Sequence, residues 1–133
     1  MRFRLTPVGI DTGSARRELL DLGAGGYVSF EGWVRDHNEG QQVVRLEYEA
    51  FHELAVKEGD RIVAEALRHF PVKHALCIHR VGALGLGDMA VWVQRWNGSP
   101  LMNGAGLPGM PMVKSTLPSV EHLRTVWSPS SVQ

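Results

Sequence analysis

The sequence predicts an α+β domain built on a mostly antiparallel sheet with covering helices. Three observations lead there. Apolar and polar residues alternate over residues 27–35 and again over 42–50, the period of a half-buried strand. Between 51 and 70 the apolar spacing changes to three and four, the period of a helix. Two further β-prone runs, 72–81 and 89–93, are joined by a glycine-rich turn. With strands meeting through short turns and one long helix to cover a face, an antiparallel sheet follows. A length of 133 residues, 44% of them hydrophobic, suits one domain over 1–133 with a genuine core.

In chain order, residues 14–22 (SARRELLDL) read as a short helix with Ser14 near its cap, stopped by Gly23-Ala-Gly-Gly. Tyr27, Ser29, Glu31 and Trp33 then alternate with Val28, Phe30, Gly32 and Val34 up to Arg35. After the loop Asp36-His-Asn-Glu-Gly, the stretch QVVRLEYEA sets Val44, Leu46 and Tyr48 on one face and Arg45, Glu47 and Glu49 on the other. These two strands are expected to pair as an antiparallel hairpin. Leu54, Ala55, Ile62, Val63, Ala66, Leu67 and Phe70 form the inner stripe of the long helix, and Pro71 closes it. Gly59 interrupts the stripe at a cost of about 1 kcal/mol relative to alanine in a helix interior. The predicted order is αββαββ.

The last forty residues differ. From Gln94 to Gln133 there are four charged residues (Arg95, Lys114, Glu121, Arg124), no aspartate, and five of the seven prolines. Neither period survives there, so no core element is derived for this part.

Composition removes several function classes. Fourteen basic and fourteen acidic side chains cancel, so neither a nucleic-acid nor an acidic-membrane surface is expected, and any anion binding must be local. The single cysteine, Cys77, lies in the apolar run Ala75-Leu-Cys-Ile and reads as a small buried thiol. The first residues carry no apolar stretch of signal-peptide length, and no segment approaches the roughly 18 apolar residues of a membrane span. A cytoplasmic protein is expected.

Gly104-Ala-Gly-Leu-Pro-Gly109 and Gly85-Leu-Gly-Asp-Met-Ala90 match dinucleotide-binding glycine patterns literally. Prolines interrupt the first and a β-prone run follows the second, where the chemistry needs a helix N-terminus to receive the pyrophosphate. The six histidines show no H-x-x-x-H or H-E-x-x-H spacing, so neither a metal ion nor a cofactor is expected. His52 and His69 fall at opposite ends of the long helix. His79-Arg80 suits either a strand end or an ordinary surface pair. Without a G-x-S-x-G elbow, serine, histidine and aspartate together carry no argument for nucleophilic catalysis. Arg35 stands out: a permanently charged, rigid fork of donors, delivered where a strand emerges into a loop, suits a phosphate or carboxylate.

Several segments in fixed order extend this reading. Gly32-Trp-Val-Arg35, Leu46-Glu-Tyr-Glu-Ala50 and His79-Arg-Val-Gly-Ala-Leu-Gly-Leu-Gly-Asp88 correspond to a G-x-V-R loop, an L-x-Y-E-A strand end and an H-R-x-G-x-L-x-x-G-[DE] turn. At these residues, and over about 16–93, the sequence resembles the large, catalytic subunit of molybdopterin synthase. The resemblance implies an α/β hammerhead fold and a homodimer of large subunits. Each would carry a small ubiquitin-like subunit, giving a heterotetramer. The partner's C-terminal Gly-Gly thiocarboxylate would enter the large subunit's pocket and give sulfur, in two rounds, to cyclic pyranopterin monophosphate, making the dithiolene of molybdopterin. Arg35 would bind the substrate's phosphate, helped by the backbone around Trp33 and Val34, and Lys114 would stand beside the thiocarboxylate.

Beyond residue 93 the chain departs from the family. Counted without a gap, a first family lysine falls on Lys114, with Pro118 placed after it as expected. A His-Arg pair falls on Gly98-Ser99, and a second lysine on Glu121. Cations in such a pocket offset the repulsion between a phosphate and a carboxylate-derived tail. Two accounts stand: a catalytically impaired paralogue that binds its partners without turnover, or a product whose reading frame is disturbed after about residue 93.

Overall fold

Two long neighbouring strands, Val72–Arg80 and Met89–Asn97, form the spine of the molecule. The structure, a computed structural model, describes residues 2–97 and the short strand at 124–126. In chain order the elements are β1 (Phe3–Thr6), α1 (Thr12–Glu18), β2 (Gly26–Trp33), β3 (His37–Asn38), β4 (Gln41–Gln42) and β5 (Arg45–Glu49). There follow α2 (His52–His69), β6 (Val72–Arg80), β7 (Gly82–Gly85), β8 (Met89–Asn97) and β9 (Arg124–Val126). The larger sheet runs β1-β6-β8-β2, a second sheet runs β7-β5-β9, and β3 and β4 make a small ribbon. Among the described residues only β1 and β6 pair in parallel, and the other pairings are antiparallel. The α+β architecture with a mostly antiparallel sheet is therefore as the sequence predicts. Among the described residues no helix is long and apolar enough to cross a membrane.

Strand alternation decides what each face of the larger sheet buries. Leu76 and Ile78 of β6 lie beside Gln94 and Trp92 of β8, and α1 closes this face through Ala15, with Ile10, Leu19 and Met89 at its margin. Gln94 is fully buried here, its amide nitrogen donating to the Ala15 carbonyl (3.4 Å). That polar residue cuts the apolar run, which is why the run read from the sequence stops at Val93 although β8 extends to Asn97. On the opposite face α2 packs against β1 and β6. Cys77 faces that side beside Phe3, buried as expected, and burial pushes its thiol up to about 12.

Four local expectations are corrected. The first helix begins at Thr12, not Ser14: the Asp11 carboxylate accepts the Ser14 N–H (3.0 Å) and takes the capping role. The expected hairpin between 27–35 and 42–50 does not form, since β2 pairs with β8 while β5 pairs with β7 and β9. Alternation fixes a strand's faces but not its partner. The intervening loop makes its own reversal, in which Glu39 (φ 50°) and Gly40 (φ 77°) supply the two left-handed residues of a tight turn between β3 and β4. At the N-terminus, β1 is an element that the periodicity did not reveal. In the tail, a strand stands at 124–126 where none was derived, pairing Glu47–Glu49 with Val126–Arg124.

The glycine in α2 also has a structural reason. Gly59 is the one buried residue of the helix, and a Cβ built there would overlap the Phe3 ring. The next residue, Asp60, accepts the backbone N–H groups of Arg2 (2.6 Å) and Phe3 (2.7 Å), tying the helix to β1. Gly59→Ala should therefore destabilise the protein: overpacking costs about 1 to 3 kcal/mol, more than the roughly 1 kcal/mol that alanine returns as helix propensity. Chemical denaturation checks this, and Phe3→Ala in the same chain should lose less than the sum of the two single changes. A stabilised Gly59→Ala variant would contradict the packing argument.

Candidate functional site

The end of β2 is irregular in a way that creates a cleft. Pairing with β8 runs evenly to Gly32 opposite Val91, then a bulge brings Trp33 opposite Met89. Gly32 is required at this point, because a Cβ would come within 2.7 Å of the Val91 side chain. Past the bulge, the Val34 N–H donates to the Asp88 carbonyl (2.9 Å) and the Val34 carbonyl accepts from Gly87 N–H (2.8 Å). Val34 then buries its side chain with Leu46, Leu84 and Ala90, the second cluster of the core. The chain leaves that anchor through Arg35.

Around it lies an open cleft of about 180 Å³, lined by Trp33, Val34 and Arg35 from the end of β2, by His37, Asn38 and Val43 from the loop, and by Leu46 and Tyr48 from β5. Val43 is buried and its N–H donates to the Asp36 carbonyl (2.8 Å), so the loop is folded back on itself. The Arg35 guanidinium donates to the Asn38 side-chain oxygen (3.0 Å), a neutral partner. The adjacent Asp36 carboxylate faces His37 instead (2.7 Å), and that contact holds its pKa below the ordinary carboxylate value. Arg4, Arg45, Arg61 and Arg80 each pair with a carboxylate. Among the described residues Arg35 has no such partner, which leaves its charge available to an anion.

Tyr48 forms a half-buried wall of the cleft, and burial raises its phenol pKa. Behind it, His79 packs edge-on against the Tyr48 ring, centroids 4.7 Å apart at 84°. His79 is buried, and its Nδ1–H donates to the Arg80 carbonyl (2.6 Å). Burial lowers the imidazole pKa, opposed in part by that hydrogen bond. The cleft thus combines an exposed cation with an apolar, uncharged back wall.

Of the residues singled out in the sequence, Trp33, Val34 and Arg35 are brought together at this cleft. Trp33 presents a half-exposed indole at the rim. Both backbone polar groups of Val34 are engaged with the 87–88 turn, so it contributes a wall and an anchor and no free donor. Lys114 lies outside the described residues, as do Gly98-Ser99, Glu121 and the glycine pattern at 104–109. Asn38 and Tyr48 were not singled out, although Tyr48 shares the strand face of Leu46 and Asn38 lies three residues beyond Arg35. His79-Arg80 is a strand end with a buried histidine. The glycine pattern at 85–90 leads into β8, not into a helix. His52 and His69 are exposed at the two ends of α2, as expected.

A pH dependence follows from His79. Because its folded pKa is depressed, the unfolded chain binds more protons, so its contribution is fully present above about 6.5, the ordinary value, and is lost as pH falls through the folded pKa. The denaturation midpoint should decline below that pH. His79→Gln should flatten this limb and leave untouched the later loss, at lower pH, from carboxylates such as Asp21 and Glu18, whose pKa values are lowered by their partners. An unchanged limb would assign it to another group.

Comparison with known proteins gives a consistent set of relatives. The model of the MoaE protein family matches residues 5–97. The chain is 49% identical over 69 residues to the molybdopterin synthase catalytic subunit of Pyrococcus abyssi, covering 52% of this chain and 47% of that one. It is 36% identical over 90 residues to the corresponding subunit of Bacillus subtilis, covering 68% and 57%. Among solved structures, molybdopterin synthase from Staphylococcus aureus superposes with a TM-score of 0.70 at 28% identity, covering 76% of this chain and 74% of that one. The chain spans about half the length of these two sequence relatives.

Proposed function

The chain belongs to the MoaE protein family, and from that premise we propose that it is the catalytic subunit of a molybdopterin synthase. In this reading it transfers sulfur from a thiocarboxylated small subunit to cyclic pyranopterin monophosphate. The observation that carries it is the cleft at the end of β2, where Arg35 has a neutral partner and no carboxylate among the described residues. A phosphate-bearing pterin needs a fixed cation and a flat apolar surface, and Arg35 with Trp33 and Tyr48 offers both.

The roles divide by chemistry. Arg35 binds the phosphate, Val34 holds the backbone from which Arg35 projects, and Trp33 covers the heterocycle. Lys114 stands beside the partner's thiocarboxylate and stabilises the negative charge that develops on the acyl oxygen as water displaces the sulfur and leaves a carboxylate. The donor is the Gly-Gly tail of a small ubiquitin-like subunit, and two large subunits assemble with two small ones into a cytoplasmic heterotetramer. The name shared by the relatives, catalytic subunit, supports a partner chain.

One observation favours a second reading. The family match ends at residue 97, and the sequence beyond it has Gly98-Ser99 and Glu121 where the resemblance calls for a His-Arg pair and a lysine. A chain that keeps its folded body but lacks those cations would bind the small subunit or a second copy without turnover.

Reconstitution separates the two. Mixed with thiocarboxylated small subunit and cyclic pyranopterin monophosphate, the chain should yield the dithiolene product. A complex without product supports the interaction module, and no complex removes both readings. Arg35→Ala should weaken pterin binding by roughly tenfold to a hundredfold, the equivalent of about 1.5 to 3 kcal/mol for a lost charge-assisted hydrogen bond. Lys114→Ala should instead lower turnover with little change in small-subunit binding. Full turnover in Lys114→Ala, or normal pterin affinity in Arg35→Ala, would remove that residue's role.

A further inference from the structure

We propose that Arg80 and Asp88 are positioning residues for Arg35: their ion pair fixes the turn that anchors Val34 and thereby aims the Arg35 guanidinium into the cleft. The inference rests on the reading of Arg35 as the anion-binding residue and adds the device that holds it in place.

The turn between β7 and β8 is held from within. The Asp88 carboxylate accepts the Gly85 N–H (3.0 Å) and pairs with the Arg80 guanidinium (3.2 Å), while the Asp88 N–H donates to the Gly85 carbonyl (3.1 Å). Gly87 takes φ 78°, a conformation that a residue with a Cβ adopts only at a cost. Thus arranged, the turn presents one carbonyl, that of Asp88, and one N–H, that of Gly87, to the same residue of the neighbouring strand. Val34 takes both. These bonds replace the regular ladder, which the bulge after Gly32 has interrupted.

Arg80 is an unusual choice for a merely structural contact. Its side chain is only 15% exposed, and its Nε is buried without a hydrogen-bond partner among the described residues. Covering a guanidinium this far costs desolvation that an apolar residue would not incur, and one use of such a paired charge is to fix a geometry. That geometry lies one peptide bond from Arg35. Val34 keeps its side chain in the core in any case, through Leu46, Leu84 and Ala90. Loss of the ion pair should therefore release the backbone at 34–35 and leave the fold standing.

The test combines hydrogen exchange with a double-mutant cycle. In the full chain without ligand, Asp88→Ala and Arg80→Lys should speed amide exchange at Val34 and Gly87 and leave the central β6 and β8 amides protected. Asp88→Asn, which keeps an acceptor for Gly85, should fall between Asp88→Ala and the parent. Affinity for cyclic pyranopterin monophosphate, read by calorimetry, should drop roughly twofold to thirtyfold in Asp88→Ala. It should drop no further when Arg35 is already alanine. Equal losses with and without Arg35, or unchanged exchange at Val34 and Gly87, would overturn the proposal. Should Arg80→Lys fail to fold, Asp88→Ala, which alters a half-exposed side chain, carries both measurements. If the parent chain binds no pterin, the functional reading falls on its own, and exchange at Val34 and Gly87 still decides whether the brace exists.

Discussion

Two backbone hydrogen bonds at Val34 join the parts of this molecule that matter for function. The larger sheet contributes β2, and the smaller sheet contributes β7, which ends in the turn that Val34 meets. Val34 is therefore the residue directly after β2 and its link to the turn between β7 and β8. Its side chain fills the second core cluster, and its successor is the cation at the cleft. Burying an extended segment away from its ladder is costly unless each N–H and C=O finds a partner, and here the turn supplies both. The bulge at Gly32 and the left-handed Gly87 are the local concessions that allow this arrangement.

The electrostatics of the cleft follow from the same arrangement. Arg35 leaves the sheet where the wall behind it is made of Val34, Leu46 and Tyr48, none of them charged, and burial disfavours the charged form of His79 behind Tyr48. Asp36, the nearest carboxylate in the chain, is engaged by His37. An anion entering would meet a guanidinium that donates to the neutral Asn38 side chain and to no carboxylate among the described residues. Exposed arginines on α2 and β5 sit in ion pairs with Glu58, Glu65 and Glu47, where such a contact contributes little.

Much of this was legible in the residues. The long helix was, because eighteen residues of consistent spacing leave few alternatives; β2 and β5 were, because alternation survives in them. Strand partners were not, since a period of two specifies faces alone, and the four residues of β1 pair with Cys77 to Arg80 far along the chain. Arg35 was visible as a cation at a strand end, and the G-x-V-R and H-R-x-G segments could each be recognised. What joins them was hidden, because the bonds at Val34 are made by backbone atoms, which leave no side-chain pattern. Tyr48 and Asn38 reach the cleft through the fold of the 34–44 loop, and that fold depends on a two-residue turn whose first left-handed position is Glu39, not the usual asparagine or glycine.

The central claim is that the end of β2 presents Arg35 to a substrate phosphate. A crystal structure of the chain soaked with cyclic pyranopterin monophosphate tests it most directly. The account predicts a phosphate oxygen about 2.7 to 2.9 Å from the Arg35 guanidinium, the range of a charge-assisted bond, with the pterin ring against Trp33 or Tyr48. A pterin bound elsewhere, with Arg35 still turned to Asn38, would contradict it.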